Sequence, residues 1–548
     1  MRYAPRTHAF VRLAAVGGVM LATSVPAASC STPSQNDTIG ASEVASPDGN
    51  TNAMSGAGAP ATMPMDGAAR ATSGGATSPV QTMMGSGGAT GDAAGAPSAT
   101  VTATPTAGSS SAPVATAGTG SEATMARAGA ESPPVECTPA EAWSNPGNVE
   151  LPTVTPVPEG SGKGVPFGHY KKLEENQYVE SEFFFSGQSP MFTSRFISLR
   201  PKDPARFSGT VFVEWYNVSG GMDVPVMWSA SQEYFLRSGH AYIGVSAQQV
   251  GANALRDVDS DRYESISHPG DTASNAIFSR AGAALRAQTE LVLGPCMKPR
   301  VVVAVGQSQS SARLTDYIRN TQAADQVYDG IMLHSGGSPA TNDPPVPTLV
   351  IKTMNEGNGS LGDGPNMVEW AIAGASHNDK RLTENSFEII GEAAGFDENP
   401  IMCANPMNDY PAYRLYNSAL DWLARWARDG ERPPMGMPFE MSGGSLAWDE
   451  HMNVRGGVRL PDIDVPIKSY TNSNGPSSAL DVIGLLGCGL AGSAVPFSPE
   501  KLMQLYPTHE DYVQQYTAAA DRALMAGFLL EEDYDEMFQL ADAAPIPK

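Results

Sequence analysis

The sequence predicts an α/β fold in which a mostly parallel sheet carries helices on both faces. Short apolar segments with the composition of strands alternate with helix-like segments between residues 178 and 373, and this alternation is typical of parallel sheets. The β-branched segment Val301–Val305 runs through a Gly-Gln-Ser turn directly into a helix-like segment. Helix-like sequence also fills most of Lys501–Ala544, and we expect an appended C-terminal helical layer over about residues 430–548.

Residues 136–548 contain the expected elements of one domain. Tyr178–Ser186 and Phe192–Leu199 have the composition of an opening antiparallel pair. Residues 435–500 are rich in Gly, Pro and Asn, so we expect them to be mostly loops. Further strands are expected at Thr210–Tyr216, Ala241–Ser246, Val301–Val305, Tyr328–Leu333, Pro347–Thr353 and Val368–Ala373. Helices are expected at Met227–Arg237, Ala273–Val292, after Ser308, at Tyr413–Arg428 and two or three times within Lys501–Ala544.

The first 135 residues lack the pattern of a globular core. Residues 1–30 combine arginines, an apolar run and small residues before Cys30, as in a bacterial lipoprotein signal peptide. We therefore expect Cys30 to be lipidated and the chain to be exported to the cell envelope, with soluble secretion as the alternative. Residues 31–135 are dominated by Ala, Gly, Ser, Thr and Pro, which predicts a disordered tether.

The charge balance argues against nucleic acid as a partner. The chain has 34 Lys and Arg against 58 Asp and Glu, a formal net charge of −24. Phosphate binding requires clustered Lys and Arg, so we expect no nucleic-acid partner. No apolar run of about 18 residues follows residue 30. The predicted contact with the membrane is therefore the N-terminal lipid anchor alone.

Four cysteines remain after Cys30, namely Cys137, Cys296, Cys403 and Cys488. In an exported protein they can form two disulfides, in any of three pairings that the sequence does not distinguish. None lies in a Cys-x-x-Cys pair, so we expect neither a zinc site nor a redox site. No metal ion or organic cofactor is predicted.

Ser308 is the candidate nucleophile. A strand, a tight Gly-x-Ser turn and a helix together hold a serine hydroxyl above the sheet, where it can attack a carbonyl. Ser310 stands where the usual pattern has its last glycine, and it is small enough for the close approach of strand and helix. The backbone N–H of Gln309, at the start of the helix, is the expected first donor to an oxyanion.

A second oxyanion donor is expected in the loop that follows the strand Thr210–Tyr216. Paired glycines in this loop allow a backbone amide to approach a ligand closely, although Gly-Gly also marks ordinary turns. The candidate residues are Asn217, Val218, Ser219, Gly220 and Gly221.

His377 and Glu356 are the candidate base and acid. In a Ser-acid-His site of this fold class, the three residues follow one another in that order along the chain. His377 follows the strand-like segment Val368–Ala373 after a loop of small residues, and Glu356 lies just beyond the strand-like segment Pro347–Thr353. Asp363 is the alternative acid, although its Gly-rich surroundings also suit a plain turn.

His268 lies in a conspicuous His-Pro-Gly-Asp cluster that has two interpretations. It is either a substrate-binding residue or part of a structural turn in which Asp271 caps a helix. We favour the turn and keep His268 among the candidate substrate-binding residues.

The motifs together resemble a bacterial family, the "alpha/beta hydrolase domain" proteins, which are esterase-like members of the α/β-hydrolase superfamily. The resemblance covers nearly all of residues 160–545 and implies an α/β-hydrolase fold with a hydrolytic site. The family pattern has an acidic pair where this chain has Asn355-Glu356, so one acid of the pair is retained. The motifs are Val213–Gly221, His268–Asp271, Gly306–Ser310, Val368–His377, Gly456–Pro461, Pro496–Ser498 and Leu505–Pro507.

The leading hypothesis is an exported serine hydrolase that cleaves a carboxylic ester of a small-molecule substrate through an acyl-enzyme. The alternatives are an amide, lactone or peptide hydrolase with the same triad, or a catalytically silent surface-binding protein of the same fold. A histidine base must be neutral to accept a proton, so activity should fall below about pH 6–7. We expect residues 248–270 and the region after His377 to form the walls of the pocket.

Overall fold

A nine-stranded sheet forms the centre of the computed structural model. The structure describes residues 142–158, 172–357, 362, 364–394, 401–478 and 482–546, all of which belong to one compact unit. The predicted signal peptide, the lipidation of Cys30 and the predicted tether lie outside the described residues. Cys137 and the alternative acid Asp363 lie outside them as well.

The strands of the sheet include all those predicted, with one more at the N-terminal edge. Their bounds are β1 Thr153–Pro156, β2 Tyr178–Gln188, β3 Met191–Pro201, β4 Thr210–Trp215, β5 Ala241–Val245, β6 Val301–Gln307, β7 Gly330–His334, β8 Thr348–Lys352 and β9 Met367–Ala371. They lie in the order β1-β2-β3-β5-β4-β6-β7-β8-β9. β1, β2 and β3 pair antiparallel, as do β3 and β5, whereas every pair from β5 to β9 is parallel. The mostly parallel sheet is confirmed.

Twelve α-helices of four or more residues lie in the described part of the chain. Their bounds are α1 Val226–Arg237, α2 Gln249–Val258, α3 Ser274–Ala287, α4 Thr289–Leu293, α5 Gln309–Tyr317, α6 Lys380–Ala394, α7 Tyr413–Asp429, α8 Pro461–Asp464, α9 Val482–Ala491, α10 Pro499–Leu505, α11 His509–Met525 and α12 Glu531–Asp542. The helix predicted over Ala273–Val292 is interrupted, because Gln288 leaves the helical conformation (φ −124°, ψ 40°) and separates α3 from α4. Among these helices, none is both long and apolar enough to cross a bilayer.

Two apolar layers cover the opposite faces of the sheet. Successive side chains of a strand point to opposite faces, and β6 follows this rule. Val301, Val303 and Val305 pack in one layer, whereas Val302 and Ala304 pack in the other. The first layer includes buried residues of α1, α7 and α11, and the second includes those of α3 and the end of α5. Helices therefore flank both faces, as the sequence predicts.

The C-terminal region packs onto the same core as the sheet. Tyr512 and Tyr516 of α11 join the first apolar layer. Residues 435–500 were expected to be mostly loops, but they contain α8, α9 and four short strands: β10 Met441–Ser442, β11 Ser445–Leu446, β12 Lys468–Thr471 and β13 Ser493–Pro496. A disulfide between Cys403 and Cys488 ties α9 to the segment before α7. Cys296 is disulfide-bonded as well.

Candidate active site

Ser308 lies at a sharp turn between β6 and α5. Its backbone has φ 58° and ψ −118°, a conformation that costs a non-glycine residue about 1–3 kcal/mol. The turn is held by a hydrogen bond of 2.8 Å from the Ser308 N–H to the His334 carbonyl of the neighbouring strand. Gly306 keeps the turn tight, because a Cβ there would lie 3.1 Å from the backbone of Ser310. Strain of this kind at an accessible hydroxyl is typical of a nucleophile elbow.

Ser310, at the position of the usual last glycine, contributes to the same turn. Its hydroxyl donates to the Gln307 carbonyl at 2.9 Å and accepts from the Gln307 N–H at 3.0 Å. The side chain is fully buried. A serine therefore replaces the glycine without a clash and satisfies two backbone groups where the strand ends.

Ser308, His377 and Glu356 form a continuous hydrogen-bonded chain. The Ser308 Oγ lies 2.8 Å from Nε2 of His377, and Nδ1 of the same ring lies 2.7 Å from Oε1 of Glu356. Because β6, β8 and β9 are parallel, the loops at their carboxyl ends share one edge of the sheet and bring the three residues together. The ring therefore has a hydroxyl at one nitrogen and a carboxylate at the other.

Glu356 is held as a carboxylate. Burial alone would raise the pKa of Glu356, but hydrogen bonds from His377 and Thr353 outweigh it and lower the pKa below the ordinary value of 4.5. The Thr353 N–H and hydroxyl donate to Oε2 at 2.9 Å and 2.6 Å. Thr353 thus donates both hydrogen bonds to Oε2, and Oε1 is the oxygen that contacts His377.

The loop after β4 lies against the elbow. Asn217 Nδ2 donates to the Gln307 carbonyl at 3.0 Å, so this loop is fixed to the residue before Ser308. Within the loop, the Ser219 N–H donates to Asn217 Oδ1 at 2.8 Å, and the Gly221 N–H donates to the Val218 carbonyl at 3.0 Å. These amides stabilise the loop itself.

Two amides are better suited to bind a ligand. The Val218 N–H makes only a long contact, 3.4 Å, with Oε1 of Gln309. The Gln309 N–H is the first of α5 and therefore has no partner within that helix. An anion between them would also gain from the positive end of the helix dipole.

The chain matches the alpha/beta hydrolase domain family over residues 153–539. It belongs to that family. Membership, together with the sheet order and the elbow, establishes the α/β-hydrolase fold and places the chain among hydrolases. The comparison with curated protein sequences finds no match.

Three solved structures illustrate what this alpha/beta hydrolase is similar to. Esterase Est22 is 12% identical, with a match over 34% of this chain and 67% of Est22 at a TM-score of 0.24. The Pyrococcus furiosus esterase Pf2001 is 8% identical over 40% of this chain and 87% of its own, at 0.25. Prolyl oligopeptidase B from Galerina marginata is 10% identical over 32% of this chain and 28% of its own, at 0.22. None of these likenesses carries an argument about substrate.

His268 makes local hydrogen bonds with both ring nitrogens. Nδ1 accepts from the Gly270 N–H at 3.2 Å, so Nε2 donates to the Ala247 carbonyl at 3.1 Å. Burial lowers the pKa of His268. Asp271 accepts from the Gln249 N–H at the start of α2 and pairs with Arg313 of α5 at 2.6 Å. These contacts suit the structural turn; substrate contact by His268 remains a prediction.

Two side-chain amides, those of Gln248 and Gln309, link the start of α2 to the loop that follows β4. Oε1 of Gln248 accepts from Nε2 of Gln309 at 2.8 Å and from Nε1 of Trp215 at 3.0 Å. The Gln309 side chain is thereby fixed between Gln248 and Val218. Sequence reasoning assigned Gln309 a backbone role and missed this side-chain role.

Two residues that were not predicted as part of the site, Asn355 and Gly336, hold the loops of His377 and Ser308 in place. Asn355 Oδ1 accepts from the His377 N–H at 2.9 Å. After β7, Gly336 passes so close to Ser308 that a Cβ there would lie 2.3 Å from the Ser308 carbonyl. The signal that could have found Gly336 is a glycine pair directly after a strand, the same signal that drew attention to Gly220 and Gly221.

An open polar groove of about 860 Å³ begins at Gly221 and runs along α2. Its walls lie within residues 250–264, inside the range predicted for one pocket wall. Among the described residues, no cluster of three or more His, Cys, Asp or Glu side chains is arranged to hold a metal ion.

Proposed function

We propose that this protein is a serine hydrolase that cleaves a carboxylic ester through an acyl-enzyme. The observation that carries the proposal is the hydrogen-bonded chain from Ser308 through His377 to Glu356. Such a chain pairs a weak nucleophile with a base, and the base with a group that orients it. The strained backbone of Ser308 supports the same role.

The three residues have different tasks in the proposed reaction. Nε2 of His377 takes the Ser308 proton as Oγ attacks the ester carbonyl, and it then gives that proton to the leaving alkoxide. Glu356 accepts from Nδ1–H, which leaves Nε2 free to act as the base and stabilises the imidazolium that forms. A water molecule, deprotonated by the same nitrogen, attacks the acyl-enzyme. As the bond between the acyl group and Oγ breaks, His377 returns the proton to Oγ, so the carboxylic acid is released and the Ser308 hydroxyl is restored.

Backbone amides stabilise the tetrahedral intermediate in this proposal. The N–H groups of Gln309 and Val218 are the best candidates, because those of Asn217, Ser219 and Gly221 donate within their own loop. One such donor is worth about 10²–10³ in kcat. Asn217, Ser219, Gly220 and Gly221 then shape the loop that presents Val218.

A fluorophosphonate probe tests the nucleophile. We expect the probe to label Ser308 of the full chain, as mapped by mass spectrometry, and Ser308→Ala to abolish both labelling and ester turnover. Ser311→Ala is the matched control, since Ser311 is a buried hydroxyl on the same helix. A chain that does not label and whose ester turnover survives Ser308→Ala would contradict the proposal. A panel of ester, lactone and amide substrates then separates the ester hydrolase from its alternatives.

We also propose that the chain is exported and anchored by a lipid on Cys30. The support is the order of arginines, apolar run and small residues before Cys30. Cys30→Ser should move the protein from the membrane fraction to the soluble fraction of the expressing bacterium. A protein that is found in the soluble fraction with Cys30 intact would instead indicate plain secretion or retention.

A further inference from the structure

The helix α9 has an unusual distribution of side chains. Its buried face carries the small residues Gly484, Cys488 and Ala491, spaced four and three residues apart. Leu485, Leu486 and Leu490 point outward and are exposed by 61%, 40% and 42%. A surface helix ordinarily turns its leucines to the core. Packing within the described chain therefore does not explain these three leucines, which we call the leucine stripe.

The leucine stripe begins at the catalytic histidine loop. The Asn378 N–H donates to the Leu490 carbonyl at 3.1 Å, and the Ser376 hydroxyl donates to the Ala491 carbonyl at 2.8 Å. These two residues flank His377 on either side. A helix rises about 1.5 Å per residue, so the stripe extends about 8 Å away from that loop.

We propose that the leucine stripe binds the aliphatic chain of the ester substrate. The inference rests on the proposed function and names its substrate class: esters with a medium or long hydrocarbon chain. The leucine stripe starts beside the loop that carries the catalytic base. The hydrocarbon chain of an ester bound at Ser308 can therefore lie along the stripe.

The charge distribution supports an uncharged occupant. Residues 482–491 contain no charged side chain, although the whole chain carries a formal charge of −24. An anionic ligand would gain no counter-charge from α9 and would be repelled by the protein as a whole. A neutral hydrocarbon chain gains from burial against leucine regardless of that charge.

The expected gain in affinity depends on how much of the hydrocarbon chain of the ester is buried against the leucine stripe. Full burial of a methylene favours binding by a factor of about four, and half burial on an open surface by about two. Four additional methylenes, the difference between butyrate and octanoate esters, should then tighten binding by about 16-fold. Loss of two of the three leucines should remove most of that gain.

Ester binding can be measured without turnover in the Ser308→Ala background. Isothermal titration with methyl butyrate and methyl octanoate, each kept below its aggregation concentration, should show the tighter binding of octanoate. Leu485→Ser combined with Leu486→Ser should remove most of that difference. The matched control combines Leu291→Ser and Leu540→Ser, two leucines of similar exposure on α4 and α12. The control should keep the difference.

A second variant guards against loss of structure. A Cβ at Gly489 would meet nothing within 4 Å, so Gly489→Leu can add a fourth leucine on α9 whose Cβ lies in open space. It should increase the preference for octanoate. Equal binding of the two esters by the parent protein, or a preference that survives the double serine variant undiminished, would overturn the inference.

The turnover of short esters separates this inference from the proposed function. If the active protein hydrolyses p-nitrophenyl acetate but shows no chain-length preference, the leucine stripe is not the chain site and the hydrolase proposal stands. If octanoate binding depends on the stripe but no ester is hydrolysed, the chain site stands and the hydrolase proposal falls. A dimer that dissociates on Leu485→Ser/Leu486→Ser in analytical ultracentrifugation would assign the stripe to self-association and overturn the inference.

Discussion

Asn355 and His377 are joined by a hydrogen bond of 2.9 Å, in which Asn355 Oδ1 accepts from the backbone N–H of the histidine. Nδ2 of the same asparagine donates to the Asn472 carbonyl at 3.2 Å. One side chain therefore fixes the acid loop, the histidine loop and the C-terminal region relative to one another. A carboxylate at this position could accept the same bond from the His377 N–H.

Asn355→Ala should lower kcat while the protein stays folded. The variant loses a bond worth about 1 kcal/mol that positions His377, so we expect a fall of roughly fivefold. Asn355→Asp keeps an oxygen acceptor for the His377 N–H and should retain most of the activity. Steady-state turnover of a short ester, with circular dichroism as the folding control, measures both. Equal activity in the alanine variant would show that the bond is dispensable.

Glu356→Gln should abolish most of the activity. An amide can present its NH₂ group to Nδ1 and favour the wrong tautomer of His377, and such a change costs about 10⁴ in kcat. Asp363→Asn is the matched control, because Asp363 is the other acid that the sequence allows in this loop, and it should keep full activity. The opposite pattern in the two variants would transfer the role of the acid to Asp363.

The pH dependence of stability should report the ionised state of Glu356. Its pKa is lowered in the folded protein, so the carboxylate stabilises the fold above the ordinary value of 4.5. That contribution is lost as the pH falls below 4.5 and through the lower pKa of the folded state. Thermal unfolding of wild type and Glu356→Gln should differ most near pH 7 and converge under acid conditions. A difference that grows as the pH falls would contradict this reading.

Elements that depend only on neighbouring residues could be predicted from the sequence. The apolar segment before Ser308 and the glycine at 306 dictate a strand and a tight turn without help from distant residues. The meeting of Ser308, Glu356 and His377 was also predictable, because parallel strands bring their carboxyl ends to one edge of the sheet.

Contacts across long stretches of chain were not predictable. The bond from Asn355 to Asn472 spans 117 residues, and either partner alone has the composition of a loop. Four cysteines can pair into two disulfides in three ways, and the sequence does not distinguish them. The folded chain brings Cys403 and Cys488 together. The loop prediction over residues 435–500 is wrong at α9. Its glycines lower helix propensity, but Gly487 lets the helix approach Ile401 closely, since a Cβ there would lie 2.7 Å from that side chain.

Ser310→Ala should destabilise the protein. The hydroxyl satisfies both the N–H and the carbonyl of Gln307 in a buried turn, and leaving a buried donor unpaired costs about 1–3 kcal/mol. Ser311→Ala is the matched control, because the Ser311 hydroxyl makes no hydrogen bond within the described residues. Urea unfolding should show a lower free energy of unfolding for the first variant and little change for the second.

Gly251→Ala should disturb the loop Asn217–Gly221, although Gly251 itself lies on α2. A Cβ at this helical glycine would lie 1.7 Å from Oδ1 of Asp223, a buried carboxylate that follows Gly221 and accepts from the Ser246 hydroxyl at 2.5 Å. Asp223 must therefore move, and overpacking of this kind costs about 1–3 kcal/mol. Because Asp223 anchors the end of the loop that presents Val218, we expect kcat to fall together with the free energy of unfolding.

Gly489→Ala is the control for this substitution, since it too adds a methyl group to a helical glycine but meets nothing within 4 Å. It should leave stability unchanged or slightly raised, because alanine favours the helix over glycine. Thermal unfolding and ester turnover of both variants test the expectation. A Gly251→Ala protein with wild-type kcat and reduced stability would show that the Asp223 anchor supports the fold without positioning the loop.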